Sequence, residues 1–110
     1  MVSELPQRDE VWLVSLDPTS GAEIRKTRPC LIVSPDEMNR NLRTVMVAPM
    51  TTVLRPYPTR VAVRFQGKSG QVALDQMRAV DRQRLVRKLG TSTDSAATSA
   101  SAVLLEMFSR

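Results

Sequence analysis

At 110 residues, 42% hydrophobic and 25% charged, the chain is long enough for one domain with its own core and too short for two. A net charge of +5 and a pI near 10.3 point to a polyanionic partner: nucleic acid, an acidic protein segment or a membrane surface. With no histidine and one cysteine, an internal disulfide, a transition-metal centre and imidazole acid–base chemistry are set aside, leaving only carboxylate-bound magnesium open in principle.

The N-terminal MVSELPQRDE has no apolar run of signal length, and no segment is apolar enough to span a bilayer, so the chain reads as soluble and cytoplasmic. Val11 to Leu16 (VWLVSL) is a β-rich apolar run closed by Asp17-Pro18 and Gly21. Trp12 within it is expected in the core or at a dimer interface rather than stacked on a base. A glycine-bearing loop follows, carrying Glu23, Arg25, Lys26 and, where it meets the next strand, Arg28. Charges massed on a loop beside a rigid strand are more often functional than the same charges on a helix. Cys30 to Ser34 predicts a second strand ended by Pro35. Cys30, with no histidine to activate it, reads as a small buried hydrophobe.

Asp36 is expected to cap a short helical turn through Met38, with Asn39 and Asn41 ending it. Thr44 to Ala48 predicts a third strand, stopped by Pro49, and Thr51 to Pro58 a loop. Val61, Val63 and Phe65 alternate with Arg60, Ala62 and Arg64, as in a half-buried fourth strand. After a turn over Gly67 to Gly70 come strand segments at Gln71–Leu74 and Met77–Val80. Asp81 is expected to cap a brief helical turn, DRQRL, closing near Gly90, with Arg82, Arg84, Arg87 and Lys88 as a solvated face. In the Ser/Thr/Ala-rich tail, Ala97, Ala100, Leu104, Met107 and Phe108 share one face at helical spacing, with Thr93 or Ser92 as N-cap. Many short strands and one helix make a small antiparallel barrel-like domain. The aromatic residues are only Trp12, Tyr57, Phe65 and Phe108, too few for extensive base stacking.

The stretch EVWLVSLDPTSGAEIRKTRPCLIVSPDEMNR closely resembles the N-terminal half of the Kid/PemK and MazF toxins, small sequence-specific endoribonucleases of toxin–antitoxin systems. VAPMTT and ALDQMRAVDRQRL resemble that family's second and third blocks, in the same order and spacing. The resemblance implies a single toxin domain over 1–110, mainly β: a five-stranded antiparallel SH3-like barrel over 8–90 and a C-terminal α-helix over 92–108. It further implies a homodimer that needs no metal or cofactor. Single-stranded RNA would be cleaved through its 2′-hydroxyl, leaving 2′,3′-cyclic phosphate and 5′-hydroxyl ends and stopping translation. A cognate antitoxin with an acidic or apolar tail would lie across the basic groove.

Such cleavage needs a base for the 2′-hydroxyl, an acid for the leaving 5′-oxygen, and positive charge on the phosphorane. The guanidinium of Arg28 forks onto phosphate oxygens, and the Thr51 hydroxyl donates to the phosphate or positions the 2′-oxygen. The base is left open. In the Kid-like branch a carboxylate works with a first-loop histidine and an arginine two residues before the acid. Here those positions hold Ala22 and Ala73, and of the trio Asp75 remains. The MazF-like pair, matching Arg28 and Thr51, is complete. Arginine is a poor base, with a pKa above ~12, so Glu23 is the alternative. Asp75 could instead organise Gln76 or pair with Arg78. Arg25, Lys26, Arg55 and Arg60 are expected phosphate contacts, with Thr52, Gln76 and Arg78 also facing RNA. Ile24 to Thr27 stands where family members often have glycine, which stiffens the loop. The rivals are a CcdB-like gyrase poison, whose Trp-Gly-Ile-type end is replaced here by Met107-Phe108-Ser109-Arg110, and a basic barrel that binds RNA without cutting it.

Overall fold

The structure, a computed structural model, describes residues 4–110; the first three residues of the expected 1–110 domain and of the MVSELPQRDE segment lie outside it. Seven strands and two α-helices follow one another: β1 (Glu10–Ser15), β2 (Thr27–Ile32), α1 (Asp36–Asn41), β3 (Thr44–Thr51), β4 (Arg60–Phe65), β5 (Lys68–Ala73), β6 (Arg78–Asp81), β7 (Leu85–Thr91) and α2 (Asp94–Phe108). They form one antiparallel sheet in the order β4-β5-β3-β2-β1-β7, with β6 also on β3. The eight-residue β3 makes the sheet curl. Its first half pairs with β6 and its last two residues with β5, while Val47–Pro49 pair with β2. The result is the barrel-like sheet and C-terminal helix expected, with seven strands in place of five.

The main correction is β7. In place of a helical turn closing near Gly90, Leu85 opens a strand, and only Arg82–Arg84 is a 3-10 turn, capped by the Asp81 carboxylate accepting from the Gln83 N–H. The strand after it hides from a search for alternation because it is bulged twice. Trp12 faces Lys88 and Val11 faces Gly90, leaving Leu89 unopposed; Leu13 faces Arg87 and Val14 faces Leu85, leaving Val86 unopposed. Each extra residue shifts the two-residue period.

Alternating side chains of β1 and β2 go to two cores, because both faces of the sheet are covered. Trp12, Val14, Cys30 and Ile32 join Val45, Val47 and Leu85 on one face; Val11 and Leu31 join Ala48, Val72, Leu74 and Ala100 of α2 on the other. Trp12 is therefore core. Its indole N–H donates to the buried carboxylate of Glu10, which also accepts from the Gln7 N–H and pairs with Lys88 at 2.9 Å. Burial pulls the Glu10 pKa up, but the hydrogen bonds from Lys88, Trp12 and Gln7 outweigh it and hold it below the ordinary value. Burial likewise pushes the Cys30 thiol up to about 12, so it is the inert small hydrophobe expected.

Two local expectations shift. Asp36 is the first residue of α1 rather than its cap, and its carboxylate accepts from the Arg8 N–H at 2.7 Å. Asn39 does not end that helix: it is buried and donates to the Ser34 carbonyl. In α2 the Thr93 hydroxyl accepts from the Ala96 N–H, as a cap should, and Ala100 is buried. Phe108, expected on the packed face, is 67% exposed. Among the described residues no helix is long and apolar enough to cross a membrane.

Candidate active site

The loop between β1 and β2 is closed at its stem and braced from across the sheet. The Leu16 N–H donates to the Lys26 carbonyl at 2.9 Å, and the Lys26 N–H donates to Asp17 Oδ1 at 3.0 Å. Lys26 itself takes a left-handed φ of 69° to turn the chain back. Arg78 donates to the Leu16 carbonyl at 3.0 Å, and Arg84 donates to the carbonyls of Ser15 and Asp17. Two arginines thus serve as struts under the loop. Arg78 had been expected to face RNA and Arg84 to be solvated; Lys88, paired with Glu10, is not a free surface charge either.

Within the loop, Glu23 and Ser20 form a reciprocal turn. The Ser20 N–H donates to Glu23 Oε1 at 2.9 Å, and the Glu23 N–H donates to the Ser20 carbonyl. Gln76 reaches back from the 3-10 turn Leu74–Gln76, accepting from the Ile24 N–H at 3.4 Å and donating to the Ala22 carbonyl at 3.5 Å. Arg28 lies inside β2, opposite Val14, because the strand starts at Thr27 and not at Cys30. Its Nε donates to the Arg25 carbonyl at 2.8 Å, which holds the guanidinium plane against the loop.

Thr51 ends β3 and is 8% exposed; its Oγ1 accepts from the Val53 N–H at 3.1 Å. The next strand approaches it very closely. A Cβ at Gly70 would stand 2.5 Å from the Thr51 carbonyl oxygen, so only glycine fits there. Beyond Thr51, the side chain of Gln71 holds the loop through Arg55. No motif marks Gln71, and only the pairing of Thr51 with Gln71 in the ladder could have flagged it.

Asp75 is engaged on both oxygens. Arg60 Nε donates to Oδ1 at 2.7 Å and Nη2 to Oδ2 at 3.1 Å, while the Thr59 hydroxyl donates to Oδ1 at 3.1 Å. Burial raises the Asp75 pKa, but the bonds from Arg60 and Thr59 prevail and keep it below the usual carboxylate value. The same pair raises the Arg60 pKa, and its guanidinium lies 5.2 Å from the Tyr57 ring centre. Arg60 faces Ala73 across the β4–β5 ladder. A guanidinium therefore reaches Asp75 from the strand opposite the position where the Kid-like pattern carries its arginine.

These elements enclose a cleft of about 540 Å³ lined by Glu23, Arg25, Lys26, Arg28, Thr51, Arg55, Tyr57, Arg60, Asp75 and Gln76. A second cleft of about 320 Å³ lies on the other side of Arg28 and Thr51, with Thr52, Met50, Phe65, Lys68 and Gln71 on its walls. Arg28 and Thr51 line both and form the ridge between them. Of the residues singled out in the sequence, only Arg78 lines neither. Among the described residues there is no cluster of three or more His, Cys, Asp or Glu able to hold a metal ion. What the arrangement offers is a cationic cleft with a fixed guanidinium, a buried hydroxyl and one carboxylate, Glu23, bonded through a single oxygen.

The family profile described as PemK-like, MazF-like toxin of type II toxin-antitoxin system matches residues 7–108. Endoribonuclease PemK of Escherichia coli is 44% identical over 80 residues, an alignment covering 68% of this chain and 60% of that protein's length. Endoribonuclease MazF9 of Mycobacterium tuberculosis is 31% identical over 94 residues, covering 76% of this chain and 80% of the relative. Among solved structures, MazF from Deinococcus radiodurans superposes with a TM-score of 0.86 over 98% of this chain and all of that one; at 24% identity the likeness speaks for the fold alone. A mycobacterial endoribonuclease solved in complex with its cognate antitoxin gives a TM-score of 0.77 at 26% identity, covering 92% of each chain.

Proposed function

The chain belongs to the PemK/MazF family of type II toxins, and from that premise we propose that it is a metal-independent endoribonuclease whose active site is the cleft around Arg28 and Thr51. The observation that carries this reading is their joint position on the ridge between two clefts, beside Arg25, Lys26 and Arg55. An extended polyanion laid across the ridge meets positive charge on the loop side and brings one phosphate against Arg28.

The chemistry then follows from the groups present. The ribose 2′-hydroxyl gives its proton to the base as its oxygen attacks phosphorus, the bond to the 5′-oxygen breaks, and that oxygen takes a proton from solvent water, so the products are a 2′,3′-cyclic phosphate and a 5′-hydroxyl. Arg28, held through Nε, offers its terminal nitrogens to the non-bridging oxygens where charge accumulates. Thr51 accepts from the Val53 N–H, which leaves its own hydrogen to donate to a phosphate oxygen.

Glu23 is the proposed base. It engages the Ser20 N–H through Oε1 alone, whereas both oxygens of Asp75 are taken by Arg60 and Thr59 and its depressed pKa makes it a weaker acceptor of a proton. Asp75 and Arg60 are a brace for the cleft wall, while Arg25, Lys26, Arg55, Thr52 and Gln76 contact RNA. The working unit is a cytoplasmic homodimer restrained by an antitoxin whose acidic or apolar segment occupies the same cleft. The test is purified protein with a long RNA in EDTA, followed by mapping of product ends. Cyclic phosphate and 5′-hydroxyl ends are expected; intact RNA with a folded protein refutes the nuclease, and 5′-phosphate ends refute the chemistry.

A further inference from the structure

Gln71 makes a double hydrogen bond on the wall of the smaller cleft. The ladder between β3 and β5 has only two rungs, Met50 with Val72 and Thr51 with Gln71, after which the main chain of β3 leaves the sheet as a loop. There the carboxamide of Gln71 takes over the pairing. Its Nε2 donates to the Arg55 carbonyl at 3.0 Å and its Oε1 accepts from the Arg55 N–H at 3.0 Å. One side chain satisfies both backbone groups of one residue, as a neighbouring strand would.

Two residues upstream of Arg55, the Val53 N–H donates to Thr51 Oγ1 at 3.1 Å. The course of the loop therefore decides where that N–H points, and the N–H decides how the Thr51 hydroxyl is turned. We infer that Gln71 is a positioning residue that orients the Thr51 hydroxyl by clamping Arg55 and, with it, the 52–55 turn. This rests on the reading that Thr51 faces the scissile phosphate. Gln71 acts through the loop and touches no reacting atom.

The experiment compares Gln71→Leu, which keeps side-chain bulk and loses both bonds, with Gln71→Glu, which keeps the acceptor for the Arg55 N–H and loses the donor to its carbonyl. Amide hydrogen exchange is followed by NMR, and cleavage kinetics are measured on a short RNA. Losing the clamp is expected to speed exchange at Val53 and Arg55 about 10-fold and to lower kcat about 10-fold with KM within about 2-fold. Gln71→Glu is expected between wild type and Gln71→Leu. The Thr51→Ala/Gln71→Leu double variant should be no slower than Thr51→Ala alone, since the second change has nothing left to misplace. A merely structural role lowers Tm without this non-additivity. Unchanged exchange at Val53 and Arg55, or rate losses that multiply in the double variant, overturn the inference. If Gln71→Leu fails to fold, the Gln71→Glu comparison decides. A folded wild type that leaves RNA intact overturns the nuclease reading and its catalytic consequence, while the exchange measurement still accepts or rejects the clamp.

Discussion

Replacing Gly70 by alanine puts a methyl group where the Thr51 carbonyl already lies. An ideal Cβ at that position stands 2.5 Å from the Thr51 oxygen, 3.2 Å from its carbon and 3.6 Å from the Thr52 Cα. These are backbone atoms, so no rotamer change clears them. A relaxed carbon–oxygen contact needs roughly 3.3 Å, and β3 and β5 must therefore part by roughly 0.8 Å. Overpacking of this kind costs about 1–3 kcal/mol. The stiffer unfolded chain offsets about 0.4–1 kcal/mol of that. A net loss of about 1–2 kcal/mol lowers Tm by roughly 5–15 °C in a domain this small. The same displacement falls on Thr51, and an error approaching 1 Å in a reacting group costs up to about 10²-fold in rate. Differential scanning calorimetry and single-turnover cleavage of a short RNA read the two effects. Gly90→Ala is the control, because its Cβ would meet only the Phe65 ring at 3.3 Å, a side chain able to give way. If Gly70→Ala holds Tm within about 1 °C and cleaves at the wild-type rate, the close approach is not what sets Thr51.

Arg28→Ala is expected to lower cleavage by about 10²–10³-fold while the dimer and antitoxin binding persist; a misfolded variant would move Arg28 from chemistry to structure. Glu23→Gln should lose more activity than Asp75→Asn in single-turnover cleavage of a short RNA. The opposite order assigns the proton transfer to Asp75. Stability should fall in acid. Glu10 and Asp75 are both held below their ordinary values of 4.5 and 3.8, so the unfolded chain takes up protons first as the pH drops. Their contribution is complete above those values and is lost as the pH falls through the lower folded ones. Urea midpoints at a series of pH values check this, and a curve that stays flat well below pH 3.8 contradicts it.

The parts of the fold legible in the sequence are those where local pattern and final environment agree. VWLVSL, PCLIV and TVMVA are β-branched apolar runs punctuated by proline and glycine, and β1, β2 and β3 overlap those runs, although β3 carries on through Pro49, expected to stop it, to Thr51. β7 was missed because its two bulges destroy the alternation that a reader relies on. The site divides in the same way. Arg28, Thr51 and Glu23 stand out as candidates because each lies at a loop–strand junction or within the charged loop itself. Asp75 was visible, but its partner was not: pairing with Arg60 depends on Arg60 facing Ala73 across two strands, a register that no short motif encodes. The bonds by which Arg78 and Arg84 brace the loop were hidden for a related reason. Each gives Nη1 to carbonyls more than 60 positions earlier in the chain, contacts set only by tertiary structure.

Trp12 gives the molecule a built-in optical gauge. It is the only tryptophan, 1% exposed, with its indole N–H fixed on Glu10 in a core that Ile24, from the wall of the larger cleft, packs against. Its emission therefore reports opening of the barrel, a readout distinct from the cleavage of RNA. Loss of chemistry and loss of fold, so easily confused in a small domain, have separate signals in the native chain without any label.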